Sequence, residues 1–331
     1  MRPAYCTYFD HRYLARGVAM IRSLRLVAPD AQVWVLCLSE EAGDALQSLA
    51  EPGVRLISLG EIEAGDGALA KAKADGRSLI EYYFTLTPSL VRYVMAHSGA
   101  DIVTYLDGDL YFFSDVAPIY QEMGDASVLI IPHNFAPAMR HKEIYGRYNV
   151  GWLSFRADGN GRACLEWWRE RTNEWCRDTP EDGRFCEQLY LDYFAEQFAG
   201  VHVLAHPGAN LAPWNVGNVA LSLRDGRVLV NNNPLIFFHF HGIKRVGARH
   251  FFTVHRDYAA PMTALMREHI YRPYFRELTA IERGTGSLLP AAVTVLRHAA
   301  LPDQVRLLSW LYLKLRLLRD WLAGYVVSLP R

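Results

Sequence analysis

The chain has 331 residues, 51% hydrophobic and 21% charged, which is enough apolar material for one large domain or two ordinary ones. Its 35 basic side chains equal its 35 acidic ones, which excludes a global attraction to nucleic acid and leaves any anionic ligand to local groups. Cys6, Cys37, Cys164, Cys176 and Cys186 form no CxxC pair and no uncharged apolar run reaches about 18 to 20 residues, so the chain reads as a cytosolic protein with reduced thiols and no membrane span.

The opening "MRPAYCTYFDHRYLARG" has no apolar signal-peptide core. Ala4–Phe9 is β-prone, and 13–26 carries helical spacing through Leu14, Val18, Ile21 and Leu24. "AQVWVLCLS" is a continuous apolar run, as in a strand covered on both faces. A helix over 41–50 and a strand over 54–59 follow. Residues 61–76, rich in Gly, Ala and Asp, read as a loop or mobile helix. A helix is expected over 79–97, with Pro88 at a break or at a first helical position. "DIVTYLDGDLYFF" reads as one strand, "ASVLIIPH" as another, and "YNVGWLSFR" as a third closed by a glycine turn at 159–161. Helices over 163–177 and 185–198, then strands "VHVLAH" and "PLIFFHFHG", complete the pattern. Strands alternating with helices predict an α/β fold with a doubly wound, mostly parallel sheet.

One stretch stands out. In "YLDGDLYFF", Asp107 and Asp109 flank Gly108 at the end of a buried strand. A type I′ hairpin turn would explain Asp-Gly alone. It gives Asp109 no task, and two close carboxylates repel unless a cation lies between them. Oxygen ligands of this kind suit Mg²⁺ or Mn²⁺, ions that also take substrate phosphates. The second constellation is "FFHFHGIKR", where a strand delivers His239 and His241 to one face, with Lys244 and Arg245 just beyond. Taken alone, a histidine pair at a strand end reads first as two hydrogen-bonded histidines; together with the aspartates it reads as one site.

In their order along the chain, these segments resemble a GT-A-fold glycosyltransferase of the retaining glycogenin and lipopolysaccharide galactosyltransferase group. The resemblance spans residues 4–249. It implies that Thr7, Tyr8, Asp10 and Tyr13 of "TYFDHRY" bind the base and ribose of a nucleotide, and that Asp107 and Asp109 hold a divalent metal, Mn²⁺ or Mg²⁺. His239 of "HFHGIK" completes the metal set, and Lys244 meets the diphosphate. Asn149 and Gly151 of "YNVGWLSF" line the donor-sugar pocket. Glu187 and Gln188 of "GRFCEQLYLD" stand beside the reacting anomeric carbon as the catalytic pair. Asn210 and Trp214 of "ANLAPWNV" lie toward the acceptor, although Trp214 is equally compatible with packing. Three departures are visible: Glu187 stands where Asp is usual, Lys244 lies one residue closer to the glycine, and an arginine common near 84–85 is missing. His133 has no assigned role and reads as a surface histidine.

The expected activity is metal-dependent transfer of a hexose from a nucleotide-diphosphate sugar, a UDP-sugar, to an acceptor hydroxyl on a glycan or lipid-linked acceptor. Retention is expected, and bacterial envelope or exopolysaccharide glycan synthesis fits such chemistry. Two alternatives stay open: a nucleotidyltransferase that makes the sugar nucleotide, and a non-catalytic sugar-binding protein. The first usually opens with a glycine-rich basic phosphate loop, which "CTYFDHRY" is not. Residues 1–285 form the expected transferase domain. Residues 286–331 form a helical extension, in which Leu308, Leu311, Leu315, Leu318 and Leu322 make a stripe interleaved with Lys314, Arg316 and Arg319. Such a helix suits peripheral contact with the inner face of a membrane, dimerisation, or packing on its own domain.

Overall fold

Apolar runs alternating with amphipathic ones place a sheet between two helical layers, and the computed structural model has that architecture for residues 2–246, 248–285, 315–316 and 318–330. The first eight strands are β1 (Pro3–Phe9), β2 (Gln32–Cys37), β3 (Val54–Ser58), β4 (Ile102–Leu106), β5 (Leu110–Phe112), β6 (Val128–Pro132), β7 (Tyr148–Arg156) and β8 (Val201–Val203). Seven of them build the central sheet in the order β3-β2-β1-β4-β7-β6-β8. β1 is parallel to β2 on one side and to β4 on the other, and β7 runs antiparallel to both of its neighbours. The strand order therefore reverses between β1 and β4, where a crevice opens beyond the carboxyl ends of the strands.

Each sheet face has its own core. On one face lie Leu14, Val18, Ile21 and Leu24 of the helix Leu14–Val27, together with Phe237, Phe238 and Phe240. On the other lie Leu86, Leu90, Val91 and Val94 of the helix Leu79–His97, with Leu165 and Trp168 of the helix Gly159–Glu174.

Several boundaries differ from the sequence reading, each for a physical reason. The helix Leu79–His97 runs through Pro88 without a break. Its N-terminus is fixed by a capping box between Ser78 and Glu81, and the buried face outweighs the missing hydrogen bond. The glycines at 159–161 open a helix instead of closing a turn: Asp158 caps it by accepting from the Gly161 N–H at 2.8 Å. A Cβ on Gly161 would lie 2.2 Å from the Arg156 carbonyl oxygen, so only glycine fits there. Residues 61–76 are two short helices, Leu59–Gly65 and Ala68–Ala74. The expected helix over 185–198 shrinks to a 3₁₀ turn, Leu189–Tyr193, and one α-turn, Phe194–Gln197.

The largest difference is at "DIVTYLDGDLYFF", which is two strands and not one. β4 ends at Leu106, and β5 starts a separate ribbon by pairing antiparallel with the strand Phe237–His239, Leu110 opposite His239. Gly108 is not in the left-handed region that a type I′ turn needs, so the corner is no hairpin. It passes the chain from one sheet to the next.

Of the proposed extension, residues 286–314 lie outside the described residues, and with them Leu308 and Leu311 of the leucine stripe; Leu315, Leu318 and Leu322 are exposed. The end of the chain is tied to the main domain. The strand Val326–Ser328 pairs antiparallel with His250–Phe252, and the fully buried Asp320 is ion-paired with Arg256 at 2.9 Å and Arg319 at 3.4 Å. Among the described residues no helix is long and apolar enough to cross a membrane.

Candidate functional site

A cleft of about 860 Å³ opens at the carboxyl ends of β1 and β4 and the amino end of the antiparallel β7. The corner after β4 turns Asp107 and Asp109 into it, and the strand Phe237–His239 brings His239 opposite. His239 Nε2 lies 3.0 Å from Asp109 Oδ1 and 3.7 Å from Asp107 Oδ2. Asp109 and His239 are buried, whereas the Asp107 side chain is 30% exposed. The imidazole comes this close because position 151 has no side chain. A Cβ on Gly151 would meet His239 Cε1 and Nδ1 at 3.0 Å. Gly151 also fixes the corner itself, since its carbonyl accepts from the Asp107 N–H at 3.0 Å.

The electrostatics here are unbalanced. Burial pushes the Asp107 carboxyl up to about 6; His239 opposes that shift and Asp109 adds to it. Burial would also raise Asp109, but the charge and hydrogen bond of His239 outweigh it and hold that carboxyl well below the usual range. The Tyr105 O–H donates to Asp107 Oδ1 at 3.0 Å. One imidazole and one phenol are thus set against two carboxylates at the end of an open cavity. That donor set fits a divalent cation. Among the described residues, single ligand atoms of Asp109, His239 and the neighbouring His241 all lie within 4.8 Å of one another.

The opposite wall is a polar relay. The Gly151 N–H donates to Asn149 Oδ1 at 3.0 Å, which fixes the orientation of that amide. Asn149 Nδ2 then faces His133 Nε2 at 3.2 Å and Gln188 Oε1 at 3.3 Å, and Gln188 Nε2 donates to the Tyr145 carbonyl at 2.9 Å. His133 must therefore accept at Nε2 and carry its proton on Nδ1. Burial agrees, lowering its pKa to about 3. The ring stacks on Phe135 at 4.6 Å and meets the edge of Trp214 at 5.3 Å. His133 is thus a buried wall of the cleft and not a surface histidine. The only sequence signal was its place at the end of β6, matching that of Asp107 at the end of β4.

Glu187 is buried, and its Oε2 has no hydrogen-bond partner. Burial drives the carboxyl well above its usual range, toward the neutral acid. Its backbone is held where the Trp168 indole N–H donates to the Glu187 carbonyl at 2.8 Å, and Cys186 before it takes a left-handed φ of 44°. Trp168 is a core residue and also anchors Glu187.

The other expected residues divide. Tyr8, Asp10, Tyr13 and Trp214 line the cleft. Asp10 Oδ1 accepts from the Arg12 and Tyr13 N–H groups at 2.9 and 3.3 Å, shaping the turn into the first helix. Thr7 is fully buried beneath the cleft, with its hydroxyl unpartnered. Asn210 is buried outside the lining, at φ 57°, where it donates to the Pro132 carbonyl at 3.2 Å. Lys244 is exposed on a short strand paired with Phe252 and is not among the residues that line the cleft. Lys142 lines the cleft, with Nζ 5.2 Å from the centre of the Tyr258 ring, and Arg12 lines it as well. Sequence reasoning missed Lys142 because it lies in a 3₁₀ segment, Pro137–Tyr145, that carries no periodic pattern.

No protein-family model matches the sequence. Two Bacillus subtilis proteins do. YfnF, described as uncharacterized, is 36% identical over 264 residues, covering 77% of this chain and 86% of that protein. YfnD, also described as uncharacterized, is 35% identical over 254 residues, covering 75% and 80%. Among solved structures, the galactosyltransferase LgtC in complex with donor and acceptor sugar analogues superposes with a TM-score of 0.51 at 18% identity, covering 85% of this chain and 99% of that one. The likeness shows a shared GT-A fold.

Proposed function

This chain belongs to the family of the Bacillus subtilis proteins YfnF and YfnD, and for it we propose glycosyl transfer: a hexose moves from a nucleotide-diphosphate sugar, a UDP-sugar, to an acceptor hydroxyl. One observation carries the reading. Unbalanced carboxylates and an imidazole end the cleft on one side, an amide relay ends it on the other, and the pair sits at the switch point of a GT-A sheet.

A divalent cation held by Asp107, Asp109 and His239 supplies Lewis-acid neutralisation of the departing diphosphate when bound. Tyr8, Asp10 and Tyr13 receive the nucleoside. Lys142 and Arg12, which line the cleft, take the counter-charge role first expected of Lys244. Asn149 orients Gln188 over the sugar face. There its carbonyl dipole meets the positive charge that develops at the anomeric carbon. Glu187, driven toward its neutral form, offers a donor and an acceptor to a sugar hydroxyl and little charge for nucleophilic attack. That favours front-face displacement with retention over a covalent glycosyl-enzyme. The solved galactosyltransferase was captured with donor and acceptor sugar analogues, which supports sugar ligands on both sides of the reaction.

The test is a screen of UDP- and GDP-sugars for Mn²⁺-dependent hydrolysis, with chelator controls. Hydrolysis of at least one donor that stops with chelator and with Gln188→Ala is expected. Nucleotidyl transfer from UTP with no donor hydrolysis would overturn the reading in favour of sugar-nucleotide synthesis.

A further inference from the structure

His241 lies two residues beyond His239, and its ring is open to the cleft. Among the described residues its nitrogens make no hydrogen bond. Its ring contacts are edge-on, to Trp214 at 5.8 Å, Tyr258 at 6.2 Å and His239 at 6.3 Å. Those edges fix the plane of the imidazole without using its nitrogens. The backbone on its far side is fixed as well. Gly242 takes φ 69° where a Cβ would strike Val254 at 2.6 Å, and the buried Arg16 guanidinium donates to the Ile243 carbonyl at 2.6 Å. An oriented imidazole with both nitrogens unused therefore stands within 4.8 Å of ligand atoms on Asp109 and His239.

We infer that His241 is a second imidazole ligand of the cation at this site, making the centre selective for first-row transition ions such as Mn²⁺ over Mg²⁺. This rests on the metal-assisted reading above. Mg²⁺ holds to oxygen ligands and gives up water reluctantly, so two imidazoles disfavour it. First-row transition ions accept imidazole readily. Asp107 is the weaker member of the set as it stands, since it is engaged by Tyr105 and lies farther from His239.

The experiment loads the full chain with Mn²⁺ in the presence of UDP and counts imidazole nitrogens by pulsed electron paramagnetic resonance. Mg²⁺ affinity is measured by competition, and thermal melting controls for folding. The wild type should show two imidazole nitrogens and His241→Ala one. Mn²⁺ affinity should fall about tenfold in that variant, with Mg²⁺ affinity little changed. One nitrogen in the wild type, lost in His239→Ala and kept in His241→Ala, would overturn this inference while leaving the three-residue site intact. Absence of any Mn²⁺ signal would overturn both.

Discussion

Two buried aspartates in this molecule live under opposite conditions. Asp66, behind the sheet, is answered on every side. Arg169 donates to both of its oxygens at 2.9 and 3.1 Å, the Ser89 hydroxyl donates at 2.7 Å, and the Ala68 N–H at 3.2 Å. Asp109, equally buried, meets the His239 imidazole and the like charge of Asp107 at the end of an open cleft. The first arrangement joins the helices Ala68–Ala74, Leu79–His97 and Gly159–Glu174. The second makes two carboxylates share one imidazole, so that His239 answers Asp109 while burial and the like charge push Asp107 up to about 6. Answered charge builds structure, and unanswered charge in a cleft is reserved for a ligand.

Substitutions can break that comparison. The largest effect is expected from Asp66→Ala. It strips Arg169 of its bidentate partner and should cost about 3 kcal/mol of stability in chemical denaturation, with Mn²⁺ affinity unchanged. Asp109→Asn should do the reverse, lowering Mn²⁺ affinity by about 100-fold, ~2.7 kcal/mol, at a smaller cost in stability than Asp66→Ala, because the amide oxygen still accepts from His239 and only the charge is lost. If Asp109→Asn unfolds the protein, or Asp66→Ala weakens metal binding, the division fails.

A finer contrast lies inside the cleft. His133→Leu removes the acceptor that fixes the Asn149 amide. It should slow donor turnover about 30-fold, ~2 kcal/mol, the scale of one buried unpaired polar group. His133→Gln, whose carbonyl replaces Nε2, should restore most of it. Equal losses in the two variants would reduce His133 to packing.

The smallest effect is one of pH, at a histidine outside the lining of the cleft and fully answered in its neutral form. His255 donates from Nδ1 to the Pro261 carbonyl at 2.9 Å and accepts the Tyr271 O–H at 2.6 Å. Burial lowers its pKa to about 4, against 6.5 in a free chain. Below pH 6.5 the unfolded chain therefore binds a proton that the native state refuses. The stability His255 contributes is whole above 6.5 and drains away as the pH falls toward 4. Between neutrality and pH 5.5 this loss is about 1.2 kcal/mol, and denaturation curves of His255→Gln should lack that part of the slope.

Much of this was legible in the sequence where periodicity or local charge carried the information. The apolar runs located the strands of the sheet, and "LDGD" and "HFH" named the residues that meet at Asp109 and His239. What could not be read depends on contacts across long stretches of chain. The break between β4 and β5 is set by pairing with residues 237–239, more than a hundred positions away. That Lys142 lines the cleft and Lys244 does not depends on where a 3₁₀ segment and a short strand face. The burial of His133 follows from Asn149, Phe135 and Trp214 closing around it.

The central claim is that the unanswered carboxylates hold a nucleotide diphosphate through a divalent cation. Calorimetric titration of UDP into the wild type and into Asp109→Asn, each with Mn²⁺ and with chelator, tests it most directly. The account predicts UDP binding in the wild type with Mn²⁺ and at least about 100-fold weaker binding in the other three cases, with both proteins folded at the temperature of the titration. UDP affinity that is indifferent to both the chelator and the substitution would contradict it.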